Sequence, residues 1–199
     1  MKILATGCMH SDSRLAEELA KRAKKEGVEL VLICGDLTRS NTSTEGLIGP
    51  FKKLGLDVAL VPGNHEPPAV ADFLAEAYDI KNLHGSSLKI GEVGFFGCGA
   101  ANIGIHRIED TESYLLFYRG FKGIKDASKK IMVSHIPPSG TLMEKLVPGS
   151  GSDAVRNAIE KFQPDLMFCS HLHEAEGIEE NIGKTRVINV GRKGKILEI

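Results

Sequence analysis

Side chains that can bind metal ions recur at the ends of apolar segments in this 199-residue chain. They fall in five short segments (GCMH, CGD, PGNHE, VSH and CSHLHE), and each segment directly follows a predicted strand. In open α/β sheets, ligands bind in the crevice outside the carboxyl ends of the strands. One strand-end histidine is more often a hydrogen-bonded structural residue, but five such segments together indicate a metal site. The residues concerned are Cys8, His10, Asp36, Asn64, His65, His135, His171 and His173.

The number of these candidates predicts more than one metal ion. A tetrahedral ion takes four ligands, and the chain offers more than four, so two ions fit the set better. Asp36 follows Gly35, which permits a close approach of backbone and carboxylate. Asn64 can contribute only a neutral amide oxygen. The sequence therefore predicts a dinuclear centre of mixed nitrogen, oxygen and sulfur donors.

An alternation of strands and helices must position these side chains. Short apolar runs predict buried strands at residues 2–7, 29–36, 57–61, 129–135 and 165–170. Apolar residues at helical spacing and local stop signals predict helices at 13–26, 44–54, 69–77, 111–119 and 153–162.

Three other stretches interrupt the simple alternation. Residues 79–99 read as short strands separated by glycine turns, which predicts hairpin-like pairing. Residues 136–152 are rich in Pro, Gly and Ser and are too long for a plain connection, so they are functional or mobile. Two further strands are predicted near 185–190 and 194–199. The whole pattern predicts a layered α/β protein with mixed sheets.

Composition and charge exclude several classes of protein. The chain is 42% hydrophobic and 26% charged with a net charge of −1, which is ordinary for a folded protein and disfavours a dedicated duplex-DNA binder. Its length predicts one domain over residues 1–199. No run approaches the ~18 apolar residues of a membrane span, so no membrane association is expected.

The cysteines and the first residues predict a reducing compartment. The segment MKILATGCMHSD does not resemble a signal peptide, so we expect a cytoplasmic protein without disulfides. Cys34, Cys98 and Cys169 lie in apolar strands and are predicted to be core residues. Cys8 differs from them because it lies beside His10 at a strand end.

The ordered motifs G-C-M-H, G-D, G-N-H-E, S-H and S-H-L-H resemble the calcineurin-like metallophosphoesterase family. The family pattern is D-x-H, G-D, G-N-H-[DE], H and G-H-x-H, and the match runs from residue 8 to about residue 191. The carboxyl-terminal half is similar to small stand-alone bacterial and archaeal members. The resemblance implies a four-layer αββα sandwich of two mixed β-sheets flanked by helices.

The resemblance also implies an activity, a dinuclear-metal-dependent phosphoesterase in which a metal-bridging hydroxide attacks phosphorus. A phosphodiesterase acting on a small phosphate ester is favoured over a monoesterase. His65 matches the family histidine that contacts the phosphate and the leaving group without binding metal. The implied ligands are Cys8, His10, Asp36 and His173 for one ion, and Asp36, Asn64, His135 and His171 for the other.

Two positions depart from the family pattern. Cys8 stands where the family has aspartate, and Ser170 stands where it has glycine. A thiolate keeps the carboxylate's charge but is softer, so among Zn, Fe, Mn, Ni and Co a softer ion is favoured at the Cys8 site. The alternative is that Cys8 is a buried bystander beside a weak first site. Asp12 is not expected to replace it, because its place before a helical stripe predicts a helix cap.

Other functions and contacts remain open at this point. A protein-binding scaffold on the same fold is the alternative to an enzyme, although a scaffold needs no histidine such as His65. A nuclease acting on DNA ends is disfavoured because the chain is short and lacks a basic stripe. Arg39 and Asn41 are candidates for contact with substrate phosphate, with solvated loop residues as the alternative. The sequence is compatible with a homo-oligomer and names no substrate.

Overall fold

In the computed structural model, which describes residues 1–40 and 42–199, the strands form two mixed β-sheets. The strands are β1 (Lys2–Thr6), β2 (Leu30–Cys34), β3 (Asp57–Val61), β4 (Lys81–Asn82), β5 (Ser86–Ile90), β6 (Val93–Cys98), β7 (Lys129–Ser134), β8 (Leu166–Cys169), β9 (Glu179–Ile182), β10 (Thr185–Asn189) and β11 (Lys195–Glu198). The helices are α1 (Ser13–Lys25), α2 (Gly49–Lys53), α3 (Pro68–Tyr78), α4 (Asp110–Lys122), α5 (Leu142–Leu146) and α6 (Asp153–Phe162).

The two sheets each have a parallel centre. One sheet has the order β11-β1-β2-β3-β4, and only β11 in it runs antiparallel to its neighbour. The other has the order β5-β6-β7-β8-β10-β9, with antiparallel pairing at its two edges. Strands β1, β2 and β3 therefore end at one edge of the first sheet, and β6, β7, β8 and β10 end at one edge of the second.

Three apolar clusters separate four layers. Leu32 of the first sheet and Phe95 and Phe168 of the second belong to the cluster between the sheets. Helices α1, α2 and α3 cover the outer face of the first sheet, and α4 and α6 cover the outer face of the second. The expected αββα sandwich is confirmed.

Helix α1 shows how local sequence produces these layers. The Asp12 carboxylate accepts a hydrogen bond from the Leu15 backbone N–H at 3.0 Å and so caps the first turn, as predicted. The buried face carries Ala16, Leu19, Ala20 and Ala23, at the spacing of one helix face. Burial of this face attaches the helix beside the loop that carries Cys8 and His10.

The stretch 79–99 differs in part from its prediction. Strands β5 and β6 do pair antiparallel, as expected for a hairpin. The preceding strand β4 instead pairs in parallel with β3 in the other sheet. The chain therefore crosses between the sheets at residues 83–85, because Leu83 donates its N–H to Leu60 and Gly85 donates its N–H to Gly97.

Three short elements also differ from the sequence prediction. Helix α2 covers only Gly49–Lys53 of the predicted 44–54, because Gly46 has a φ of 74° that a right-handed helix does not allow. Helix α5 has five residues, which is too few to show a periodic pattern. Strand β9 reads EENI and lacks apolar alternation, yet it pairs antiparallel with β10.

Two further expectations can be compared with the structure. Among the described residues, no helix has both the length and the apolar character that a membrane crossing needs. All four cysteines are buried, and no two of them are joined by a disulfide in the structure.

Candidate metal centre

Five loops at the carboxyl ends of parallel strands bring the predicted site residues together. Cys8 and His10 follow β1, Asp36 follows β2, and the Asn64–His65 pair follows β3. The second sheet supplies His135 after β7, and His171 and His173 after β8. The loops are joined directly, because Cys8 N–H donates to Gly35 O at 2.9 Å and His10 N–H donates to Asp36 O at 3.0 Å.

The buried Asp36 carboxylate lies at the centre of this arrangement. Its Oδ1 accepts a hydrogen bond from the His65 backbone N–H at 3.0 Å. Its Oδ2 lies 3.3 Å from His135 Nε2 and 3.8 Å from His10 Nε2. Burial raises the pKa of Asp36, but the charge and hydrogen bond of His135 outweigh burial and hold that pKa well below its usual value. Asp36 therefore presents an ionised oxygen toward two histidine groups.

His135 is buried with its Nε2 among potential metal ligands. Its Nδ1 donates to the Cys34 carbonyl at 2.8 Å, so Nε2 carries the free lone pair. That Nε2 lies 3.0 Å from Asn64 Oδ1, 3.2 Å from His171 Nδ1 and 3.3 Å from Asp36 Oδ2. Burial lowers the pKa of His135, but Asp36 raises it above its ordinary value overall. A divalent ion can supply the positive charge that a proton supplies otherwise.

A second group of donors surrounds Cys8. His10 Nε2 and His173 Nε2 are 3.2 Å apart, and both rings offer a nitrogen within 4.8 Å of the Cys8 sulfur. The sulfur accepts the His171 backbone N–H at 3.3 Å. Burial, with the nearby Asp36 charge, raises the pKa of Cys8 to about 12. A metal ion would be needed to hold Cys8 as a thiolate.

Five of the predicted ligands lie in groups whose donor atoms are close enough to hold a metal ion: Cys8, His10, Asp36, His135 and His173. A donor group is here a set of three residues whose ligand atoms all lie within 4.8 Å of one another. Asp36 belongs to two such groups: one contains Cys8 and His135, and the other contains His10 and His65. Nitrogen, oxygen and thiolate donors suit zinc and iron. His65 lies inside one of these groups, so proximity alone does not separate it from the ligands.

Several of the predicted ligands have an uncommon backbone conformation. Cys8, His10, Asp36 and His171 have φ values of 52°, 49°, 52° and 65°, in the left-handed region that most residues avoid. Each such residue costs on the order of 1–3 kcal/mol and persists only where the surroundings fix it. The loop-to-loop hydrogen bonds of Cys8 and His10 provide part of that support.

Two glycines leave room for the ligands beside them. A Cβ atom on Gly63 would overlap the Asp36 carboxylate. A Cβ on Gly104 would overlap the Asn64 Nδ2 atom, so the amide nitrogen faces Gly104 while Oδ1 faces the metal ligands. These positions restrict how far the two ligands can move.

Glu66 is a supporting residue whose role the sequence analysis missed, although it belongs to the G-N-H-E motif. Its buried carboxylate accepts backbone N–H bonds from Gly63 at 2.7 Å, Thr38 at 3.0 Å and Leu37 at 3.1 Å. It also accepts the Thr38 hydroxyl at 3.1 Å. Glu66 thereby ties the loop that carries Asp36 to the loop that carries Asn64 and His65. Charged acceptors of this kind strengthen hydrogen bonds.

A cleft of about 490 Å³ opens over the donor groups. The Ser40 backbone N–H donates to His65 Nδ1 at 3.2 Å, so the neutral ring carries its proton on Nε2. Arg39 lies in the cleft wall, where the sequence analysis expected a phosphate contact, whereas Asn41 lies outside the described residues. The lining residues are His10, Asp12, Arg39, His65, His173 and Arg192.

Arg192 in this wall was not predicted. It follows β10, and its Nη2 donates to Asp12 Oδ2 at 2.9 Å. Asp12 therefore caps α1 with one oxygen and holds Arg192 with the other. The only sequence signal was a basic residue after a strand end, in the segment NVGRKG.

The chain belongs to the calcineurin-like phosphoesterase family, because the sequence profile of that family matches residues 1–175. It is accordingly a metallophosphoesterase, a metal-dependent hydrolase of phosphate esters. No curated protein sequence matches the chain significantly.

Solved structures share the fold at low sequence identity. A protein from Thermus thermophilus has a TM-score of 0.79 at 20% identity, over 96% of this chain and 90% of the other. A dimetal phosphatase from Danio rerio has a TM-score of 0.63 at 11% identity, over 96% and 87%. A structure described as a novel archaeal phosphodiesterase has a TM-score of 0.55 at 19% identity, over 96% and 84%.

We expect Gly63→Ala to lower the metal content of the purified protein, because the added methyl group would displace the Asp36 carboxylate. Elemental analysis of the folded variant measures the effect. Gly49→Ala is the matched control, since its Cβ would meet only ordinary contacts with Tyr78 at 3.8–3.9 Å. Equal metal content in Gly63→Ala and wild type would contradict the role assigned to this close approach.

Proposed function

We propose that the protein is a dinuclear-metal-dependent phosphodiesterase whose two ions share Asp36. The proposal rests on one observation: Asp36 Oδ2 lies 3.8 Å from His10 Nε2 and 3.3 Å from His135 Nε2, and these two histidines belong to the two different ligand sets. Cys8, His10 and His173 would complete the first ion's ligands. Asn64, His135 and His171 would complete those of the second.

Two divalent ions bound there would lower the pKa of water toward neutrality and neutralise phosphate charge. The ions bring four positive charges, and Asp36 with a Cys8 thiolate would bring two negative ones. The site would stay positive and attract a phosphate ester, in agreement with the phosphoesterase family of this chain.

His65 is proposed to protonate the leaving group. With Nδ1 accepting from Ser40, the neutral ring can donate its Nε2 proton to the departing oxygen. The His10 and His65 rings lie 5.0 Å apart at the edge of the donor groups, which supports a position for His65 beside the scissile bond of a bound ester. A protein-binding scaffold would have no use for this arrangement.

Preference for a diester is supported by the size of the cleft. Its volume of about 490 Å³ leaves room for an organic group beside a phosphate. The fold is shared with an archaeal protein described as a phosphodiesterase. Turnover of matched nitrophenyl mono- and diesters by protein reconstituted with single metals tests the preference directly. Faster turnover of the monoester would contradict the proposed preference for a diester.

We expect Asp36→Ala to remove both ions and all hydrolysis, because one carboxylate serves both proposed sites. Metal per chain and turnover are measured after reconstitution. Asp165→Ala is the control: it removes a carboxylate that accepts a backbone N–H at Lys130, outside the cleft. Two metals per chain in the Asp36 variant would refute the shared-ligand arrangement.

We expect His65→Ala to keep its metal ions while kcat falls by roughly 10²–10⁴, the contribution typical of an acid or charge-stabilising group. Elemental analysis and steady-state kinetics separate the two effects. Loss of one metal would make His65 a ligand. Unchanged turnover would favour the scaffold alternative.

We expect the Cys8 site to prefer zinc or ferrous iron, and Cys8→Asp to shift preference toward manganese, because the thiolate is the softer ligand. Occupancy and turnover are compared after stripping and reloading each protein. The thiolate charge-transfer absorption of cobalt-loaded protein gives a readout independent of activity. It should vanish in Cys8→Asp and persist in Cys98→Ala, whose thiol lies in strand β6. The same occupancy and turnover with each metal in wild type and Cys8→Asp would show that Cys8 is not a metal ligand.

A further inference from the structure

Arg192 occupies a fixed position in the cleft that the proposed reaction does not use. Its backbone N–H donates to Glu176 Oε2 at 3.1 Å, and its carbonyl accepts the Thr6 hydroxyl at 3.2 Å. Its guanidinium is oriented by Asp12 Oδ2 at 2.9 Å. Backbone and side chain are therefore both held in place beside the metal-binding loops.

Most of the hydrogen-bonding capacity of this guanidinium is available to a ligand. An arginine has five N–H donors, and within residues 1–40 and 42–199 the Arg192 side chain uses one of them, toward Asp12. The Arg192 and Asp12 side chains are 40% and 41% exposed. A guanidinium in this state can bind a phosphate through two parallel bonds.

Arg192 belongs to a different loop from the proposed ligands, because it follows β10 whereas they follow β1, β2, β3, β7 and β8. The donor groups and His65 surround Asp36, whereas Arg192 is bonded to Asp12, Glu176 and Thr6 and to none of the proposed ligands. Arg39 lies beside the Ser40–His65 contact, and Arg192 lies on the Asp12 side of the same cleft. The cleft thus has a fixed cation that is bonded to other groups than those proposed for metal binding or catalysis.

We propose that Arg192 forms a subsite for a second phosphate group, so that the substrate is a phosphate ester carrying another phosphate on its organic part. This inference rests on the proposed function for the position of the first phosphate. It names a class of substrate: phosphate esters with two phosphate groups separated by an organic unit.

The test compares two ligands that differ by one phosphate, thymidine 3′,5′-bisphosphate and thymidine 5′-monophosphate. Calorimetric titration of the metal-loaded wild type should give a dissociation constant roughly tenfold or more lower for the bisphosphate, as expected for a charge-assisted pair. In Arg192→Gln the preference should fall below about threefold, while monophosphate affinity changes little. Arg192→Lys should restore part of it.

Arg186→Gln is the matched control. This exposed arginine pairs with Glu179 at 2.6–2.8 Å and lies outside the cleft lining, so the variant should keep the full preference. A wild type without preference, or an Arg192→Gln variant that retains it, overturns the subsite. A lowered melting temperature of Arg192→Gln with the preference intact would likewise reduce Arg192 to a structural clamp.

Hydrolysis distinguishes failure of this inference from failure of the proposed function. Thymidine 5′-(p-nitrophenyl phosphate), with and without a 3′-phosphate, should differ mainly in KM for the wild type and converge in Arg192→Gln. An Arg192-dependent binding preference without hydrolysis of either compound would support the subsite and refute the proposed diesterase. Hydrolysis of both compounds with the same KM would support the proposed diesterase and refute the subsite.

Discussion

The candidate centre depends on keeping one carboxylate ionised inside the protein. A buried charge without partners is strongly disfavoured, so Asp36 requires donors on every side. One oxygen receives the His65 N–H, and the other faces His135 and His10. Gly63 leaves the space that this carboxylate occupies. The loops after β1, β2, β3 and β7 are thus positioned by a common electrostatic requirement.

Glu66 is a second buried carboxylate with hydrogen-bond donors around it, and its donors are backbone N–H groups. Two loops separated by nearly thirty residues would otherwise leave several N–H groups buried without partners. One carboxylate receives the N–H groups of Leu37, Thr38 and Gly63 together. The strained backbone at Asp36 is thereby held by bonds that do not involve its own side chain, and the carboxylate oxygens remain available.

The fold and the donors were predictable because both follow from short-range patterns. Apolar runs mark the strands, and parallel strands of one sheet deliver their carboxyl ends to one edge, so Asp36 and Asn64 could be placed together without coordinates. Grouping Asp36 with His135 of the other sheet followed from the family resemblance. Arg192 could not, because its position depends on Asp12, which is 180 residues away in the chain. The left-handed backbone at Cys8 was equally unpredictable, since cysteine is not a residue type enriched in that region. Strand β4 was misassigned because two residues cannot indicate which sheet they join.

The division of the donors between two sheets has a consequence for the order of assembly. Cys8, Asp36 and Asn64 belong to loops of one sheet, whereas His135 and His171 belong to loops of the other. Neither sheet alone carries all the ligands proposed for either ion, so the proposed centre would be complete only after the apolar interface that contains Phe95 and Phe168 has closed. Metal loading would then be a late event that reports a completed sandwich, unlike small zinc domains, in which the ion drives folding itself.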